Sequence, residues 1–112
     1  RSPAMTVGEL SKKCGFVTVC MPEPDREVSG CYIGDLLSWV MGRAQSGNAW
    51  ITIMSNVNIA AVASLTDVAV IILAEGVILD ESVVAVASQK GINIVSSDVP
   101  AFETAMKLGG CV

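Results

Sequence analysis

The sequence predicts an α/β fold, a mostly parallel sheet with helices on both faces, and three observations predict it. From Ala49 onward the chain repeats a strand, a loop and a helix three times. Each predicted strand is a short continuous apolar run, the pattern of strands covered on both faces. Capping and breaking residues fall where the apolar runs stop. Alternating β and α segments with short connections imply right-handed crossovers, and hence parallel neighbours.

The elements follow in order. Thr6-Val-Gly-Glu9 reads as a capping box that opens a short helix, the threonine hydroxyl and the Glu9 carboxylate each serving an amide of the first turn, and Gly15 ends it. Phe16-Val-Thr-Val-Cys20 is β-forming and is expected to be a strand, followed by a Pro22/Pro24 segment that cannot continue a central ladder. Val28 to Ile33 is a second extended piece, and Asp35 is expected to cap a helix over Leu36–Ala44, closed by Gly47. Three units then follow: Ala49–Met54 into Asn58–Leu65, Val68–Leu73 into Glu81–Lys90, and Ile92–Val95 into Ala101–Leu108. Asp80 precedes the second of these helices, Gly91 follows it, and Pro100 stands near the first turn of the third.

The 112 residues are expected to form one domain over 5–112, large enough for a core without disulfide staples. Arg1-Ser2-Pro3-Ala4 precede a plausible start at Met5 and read as a vector-derived remnant, the alternative being truncation of a longer chain. Hydrophobic residues make up 52% and charged residues only 16%, so apolar surface should be left over, and self-association would cover it. The helix Asn58–Leu65 has almost no polar face, which fits a buried helix or one packed on a second copy. Trp39 and Trp50 read as core aromatics, with a dimer surface as the alternative.

A net charge of −4 with dispersed Lys and Arg disfavours nucleic acid, which demands a clustered basic footprint. Apolar runs such as Val68–Ala74 fall well short of the ~20 residues that span a bilayer, and no leader pattern is evident, so no membrane partner and a cytoplasmic location are expected. Cys14, Cys20, Cys31 and Cys111 form no C-x-x-C pair and the chain has no histidine, so the cysteines read as buried small hydrophobes and no metal or other cofactor is expected. A cysteine-ligated metal or cluster is the alternative for them.

Ligands of parallel sheets bind beyond the carboxyl ends of the strands, where helix N-termini offer free amides. Three loops occupy that edge here, and they supply Ser55, Asn56 and Asn58, then Glu75 and Gly76, then Ser96, Ser97 and Asp98 as candidate ligand-binding residues. Hydroxyls, amides and a glycine beside helix starts suit a phosphate or a nucleotide ribose, and they equally suit plain caps and turns. Glu75 and Asp98 would repel an anion unless a cation intervened. No Walker A, G-x-G-x-x-G or G-x-S-x-G motif occurs, and without histidine no ready general base exists near neutral pH, so no catalytic residue is assigned and a non-enzyme is expected.

Several stretches together resemble a stand-alone DRTGG domain: "MTVGELSKKCG", "DREVSGCYIGDLLSWVMGRA", "AWITI", "VAVIIL" followed by "EG", and "GINIVSSDVPAFETA". The resemblance runs from Met5 to Leu108. It implies a fold similar to the N-terminal domain of HPr kinase/phosphorylase, homodimerisation, and a non-catalytic regulatory role. Domains of this family sit beside CBS domains in nucleotide-regulated pyrophosphatases and inside long phosphate acetyltransferases, and short stand-alone versions accompany redox or hydrogenase systems. The expected function is a non-catalytic homodimeric regulatory module whose apolar helices form the interface and whose strand-end loops sense a small metabolite or nucleotide, with a nucleotide or phosphometabolite as the expected partner. The alternative is an interaction or scaffold protein for a redox or kinase partner, with no small ligand. Where the family carries an acidic-arginine pair and then Thr-Gly-Gly after successive strands, this chain has Ser55-Asn56 and Ala74-Glu75-Gly76, so only Gly76 agrees.

"MPEPDREVSG", residues 21–30, is expected to be a structural bend and possible interface arm. Pro22 and Pro24 restrict the backbone, Asp25 can accept local amides, and Gly30 permits conformations that other residues avoid. Arg26 is expected in an ion pair with Asp25, Glu27 or a neighbouring subunit.

Overall fold

The computed structural model describes residues 4–112; the predicted remnant falls outside this range except for Ala4. Its elements are α1 (Val7–Cys14), β1 (Val17–Cys20), β2 (Cys31–Ile33), α2 (Leu37–Arg43), β3 (Ala49–Thr52), α3 (Asn58–Thr66), β4 (Val70–Leu73), α4 (Glu81–Gln89), β5 (Ile94–Ser96) and α5 (Ala101–Leu108). The sheet order is β1-β5-β4-β3-β2. Strands β2 to β5 are mutually parallel, with Ile33, Ile51 and Leu73 near the carboxyl edge, and β1 closes the far side antiparallel to β5.

The continuous apolar strands divide by parity between two cores. On one face Trp50, Ile71, Leu73 and Ile94 pack with Ile59 and Ala63 of α3 and Val83 and Ala87 of α4. On the other, Ala49, Ile51, Val70, Ile72 and Val95 pack with Val7 and Leu10 of α1 and Leu108 of α5. Because successive strand side chains point to opposite faces, both parities must be apolar when helices cover both, which is why β3 and β4 are buried at every position. Burying each such isoleucine or leucine contributes about 1.5–3 kcal/mol.

The local punctuation behaves as expected at most ends. Thr6 forms the full capping box with Glu9, and Gly15 ends α1 at φ 72°. Asn58 starts α3, and Asp67 closes it in the left-handed region at φ 61°. Asp80 and Pro100 are the N-cap residues of α4 and α5, neither making a side-chain cap bond.

Four expectations need correction. Asp35 does not cap α2: the N-cap is Leu36, and the Asp35 carboxylate instead accepts from Thr52 Oγ1 (2.8 Å) and the Ile53 amide (2.9 Å), because parallel pairing of β2 with β3 carries Asp35 alongside the end of β3. Trp50 is fully buried and donates to the Gly34 carbonyl (2.9 Å), but Trp39 is 52% exposed, with the Arg43 guanidinium 3.7 Å from its ring centroid. Among the cysteines only Cys14 is buried; Cys20 and Cys111 are half-buried and Cys31 is exposed, since β2 is an edge strand. Arg26 pairs neither with Asp25 nor with Glu27 but with Asp67, as described below.

Candidate functional site

The carboxyl edge of the parallel strands carries four connections, and their backbone bonding decides what each can offer. The connection after β4 turns through two consecutive left-handed residues, Glu75 (φ 60°) and Gly76 (φ 67°). That turn directs the Glu75 amide to the Val99 carbonyl (2.9 Å) and the Gly76 amide to the Ser97 carbonyl (2.8 Å), tying the loops after β4 and β5 together. Two amides that a phosphate would need are thereby already satisfied. Glu75 adopts a conformation that disfavours a Cβ, while at Gly76 an added Cβ would meet no neighbour, so the glycine there serves the backbone and not a close approach.

Ser97 also turns inward. It is 3% exposed, its hydroxyl shares a 2.8 Å hydrogen bond with Thr104 Oγ1, and its amide donates to the Leu73 carbonyl (2.7 Å). Thr104 in turn donates to the Val99 carbonyl (3.2 Å), so Ser97 and Thr104 fasten α5 to the loop that precedes it. Ser96 is half-buried at the end of β5, opposite Val17 and Leu73. Asp98 is exposed between them.

After β3, Ser55, Asn56 and Asn58 are all exposed. Asn56 Oδ1 accepts from the Asn58 amide (2.9 Å), so part of its side chain is engaged in starting α3. This loop joins its neighbours through Asp35, as above, and through the Ala74 amide, which donates to the Thr52 carbonyl (3.0 Å). The structure therefore brings two pairs of connections together at one edge, those after β2 and β3 and those after β4 and β5. Of the candidate side chains predicted at this edge, those left exposed are Ser55, Asn56, Asn58, Glu75 and Asp98.

Asp35 belongs to this edge and was missed as an edge residue. The signal was its position two residues beyond Ile33, but reading it required the β2–β3 register, which is set by tertiary pairing. With Asp35, Glu75 and Asp98 exposed here, and none of them in an ion pair with a Lys or Arg of the described residues, the edge is electronegative. Such a rim accepts hydrogen bonds from ribose or base donors better than it attracts a bare phosphate. No group of three or more Cys, Asp or Glu among the described residues is arranged to hold a metal ion. Cys14 and Cys111 both donate to the Lys107 carbonyl (3.3 and 3.9 Å), and burial, followed by the neighbouring Cys111, pushes the Cys14 thiol above its ordinary value.

The bend over residues 21–30 lies away from this edge and is held from three sides. Asn93, 1% exposed, accepts from the Glu23 amide (2.9 Å) and donates to the carbonyls of Glu23 (2.8 Å) and Ala69 (3.0 Å). The amides of Val7 and Gly8 donate to Arg26 and Pro24 carbonyls, and that of Val28 to Met5. Arg26 Nη2 reaches the Asp67 carbonyl at 2.7 Å and its carboxylate at 3.0 Å. Ser46, which also donates to Asp67, and Arg26 together hold that carboxyl below its usual range. Gly30 lies at φ 77°, and its carbonyl accepts from Ala49 as the chain enters β2. Asp25 is exposed.

No helix of the described residues is long and apolar enough to cross a membrane. No family model and no curated protein matches the chain. Among solved structures, the fold is similar to that of the CBS and DRTGG domains of the regulatory region of Clostridium perfringens pyrophosphatase, determined with its activator diadenosine tetraphosphate. The TM-score is 0.75 at 10% identity, over 93% of this chain and 46% of that one, so the present chain spans about half the length of its neighbour. At that identity the likeness is one of fold: a five-stranded, mostly parallel sheet between helices, in an arrangement that another protein uses within a regulatory region.

Proposed function

We propose that this chain is a DRTGG-type regulatory module, similar also to the N-terminal domain of HPr kinase/phosphorylase, that acts without catalysis as a cytoplasmic homodimer and senses a nucleotide at the carboxyl edge of its sheet. The observation that carries the reading is the fold likeness to a nucleotide-bound regulatory region, combined with an edge whose outward groups are Ser55, Asn56, Asn58, Glu75 and Asp98. With the Glu75 and Gly76 amides spent on Val99 and Ser97, the nucleoside is the part recognised: the carboxylates accept from ribose hydroxyls and the asparagine amides pair with the base edge. Phosphates point away to solvent. The dimer face in this reading is the β2 side, where Ile33, Leu36, Trp39 and Met41 are 49%, 60%, 52% and 44% exposed.

A thermal-shift screen of nucleosides, nucleotides and phosphometabolites tests the sensing role, since a ligand at 100 times its dissociation constant adds about 2.7 kcal/mol of stability. Light scattering tests the dimer: a Trp39→Lys monomer from a dimeric parent supports this face, and a strictly monomeric parent at high concentration sinks the dimer. The same spent amides favour a second reading, a protein-interaction module for a redox or kinase partner with no small ligand. A screen without a single hit selects it.

A further inference from the structure

A separate depression lies on the opposite flank of the sheet, between α1 and the edge strand β1. It is an open groove of about 510 Å³, within the range of small-molecule sites, and its walls include Ser11 and Lys12 of α1, Phe16 and Thr18 at β1, and Met21 and Asp25 of the bend. Gly8 and Pro24, also on its walls, are joined by the Gly8 amide donating to the Pro24 carbonyl (3.0 Å).

Three polar side chains of this groove have no protein partner among the described residues. Ser11 is only 6% exposed, yet its hydroxyl makes no hydrogen bond there. A hydroxyl this buried ordinarily finds a partner; no fully enclosed side-chain polar atom of the described residues is left unpaired, so the Ser11 oxygen keeps some solvent access, and Ser11 lines the groove. Lys12 and Asp25 are both exposed on the same groove, and neither forms an ion pair among the described residues. Glu9, also on the wall, is already committed to Thr6 through the capping box. The groove is thus lined by an ammonium and a hydroxyl from successive residues of α1, a carboxylate from the bend, and the apolar Phe16 and Met21.

We propose that this groove binds a free amino acid. Its carboxylate would meet Lys12 Nζ and Ser11 Oγ, its ammonium would meet Asp25, and an apolar side chain would rest on Phe16 and Met21. A polyphosphate fits poorly, because one lysine faces two carboxylates here.

The test is a ¹H–¹⁵N titration of the whole chain with the twenty free L-amino acids, alongside the N-acetyl and the C-terminal amide derivative of any that bind. At least one amino acid is expected to shift the amides of Gly8, Ser11, Lys12, Thr18 and Asp25 saturably while leaving those of Asn56, Gly76 and Asp98 unmoved. Each blocked derivative should bind at least about tenfold more weakly, the loss expected for one charge-assisted hydrogen bond. Lys12→Gln should weaken the free acid by the same factor without weakening its amide further, and Asp25→Asn should do likewise for the free amine and the N-acetyl form. Both side chains are exposed, so both variants should keep the parent spectrum elsewhere. No shift at these amides with any amino acid, or shifts that both substitutions leave undiminished, would overturn the proposal. Because a nucleotide would be read at the strand-end loops, this outcome is independent of the sensing role.

Discussion

Asn93→Ala is the sharpest single perturbation of this fold. The side chain lies at the entrance of β5 with 1% exposure; two of its hydrogen bonds, of 2.9 and 2.8 Å, hold both backbone groups of Glu23, and the third, of 3.0 Å, goes to the Ala69 carbonyl. At about 1 kcal/mol net per bond, truncation should cost about 3 kcal/mol. The loss could run higher wherever the Ala69 carbonyl stays dry, because an orphaned buried acceptor costs its full desolvation. Against a total stability of about 5–15 kcal/mol this is a large fraction. Urea unfolding followed by tryptophan fluorescence is the assay, with Trp50 fully buried as the reporter. At a slope of about 1–1.5 kcal/mol per molar, the midpoint should fall by about 2–3 M with the slope unchanged. Hydrogen exchange should also quicken at Val7, Gly8 and Val28, whose amides are bonded to or within the bend. A loss below about 1 kcal/mol would refute the reasoning, since it would mean that water replaces all three bonds at no cost.

The other predictions concern smaller effects. Arg26→Ala should cost only about 1 kcal/mol, because its ion pair with Asp67 is solvent-exposed, with side chains 34% and 59% accessible; a loss above about 2 kcal/mol in the same titration would contradict that weighting. Glu75→Gly should raise stability by about 0.5 kcal/mol, the relief of a left-handed Cβ (about 1–2 kcal/mol) exceeding the entropy that glycine adds to the unfolded chain, and a lowered melting temperature would count against it. Burial raises the thiol pKa of Cys14 and of Cys20 in the folded chain, so folding disfavours their thiolates. Their contribution to stability is complete below about pH 8.5, the unfolded value, and is lost as pH rises through the folded values. Urea midpoints should therefore fall on the alkaline side, and Cys14→Ala with Cys20→Ala should make that limb shallower; an unchanged limb would remove these two thiols as its cause.

The bend is where sequence and structure inform each other most. Its two prolines and Gly30 announce a turn, and the Asp25-Arg26 pair invites a functional reading. In the fold, Arg26 is absorbed by Asp67, 41 residues later, while Asp25, on the wall of a groove, has no ion-pair partner among the described residues. Nothing local distinguishes these two fates. They follow from where α3 ends and from which residues of α1, β1 and the bend line one groove.

The sequence by itself determined the secondary elements, their order and their α/β class. These depend on neighbours within a few residues: capping boxes such as Thr6 to Glu9, left-handed glycines such as Gly15 and Gly91, and apolar runs too short to be anything but covered strands. Only the tertiary structure decided which partner each polar group takes. A hydroxyl, amide or carboxylate can be satisfied by many groups, and the sheet register and loop contacts select among them. That selection sent Asp35 to Thr52 instead of a helix cap, turned Ser97 inward to Thr104, and closed the Glu75 and Gly76 amides against the next loop. It also set β1 antiparallel at the edge beside β5, and it brought Ser11 and Lys12 of α1 and Asp25 of the bend to the walls of one groove.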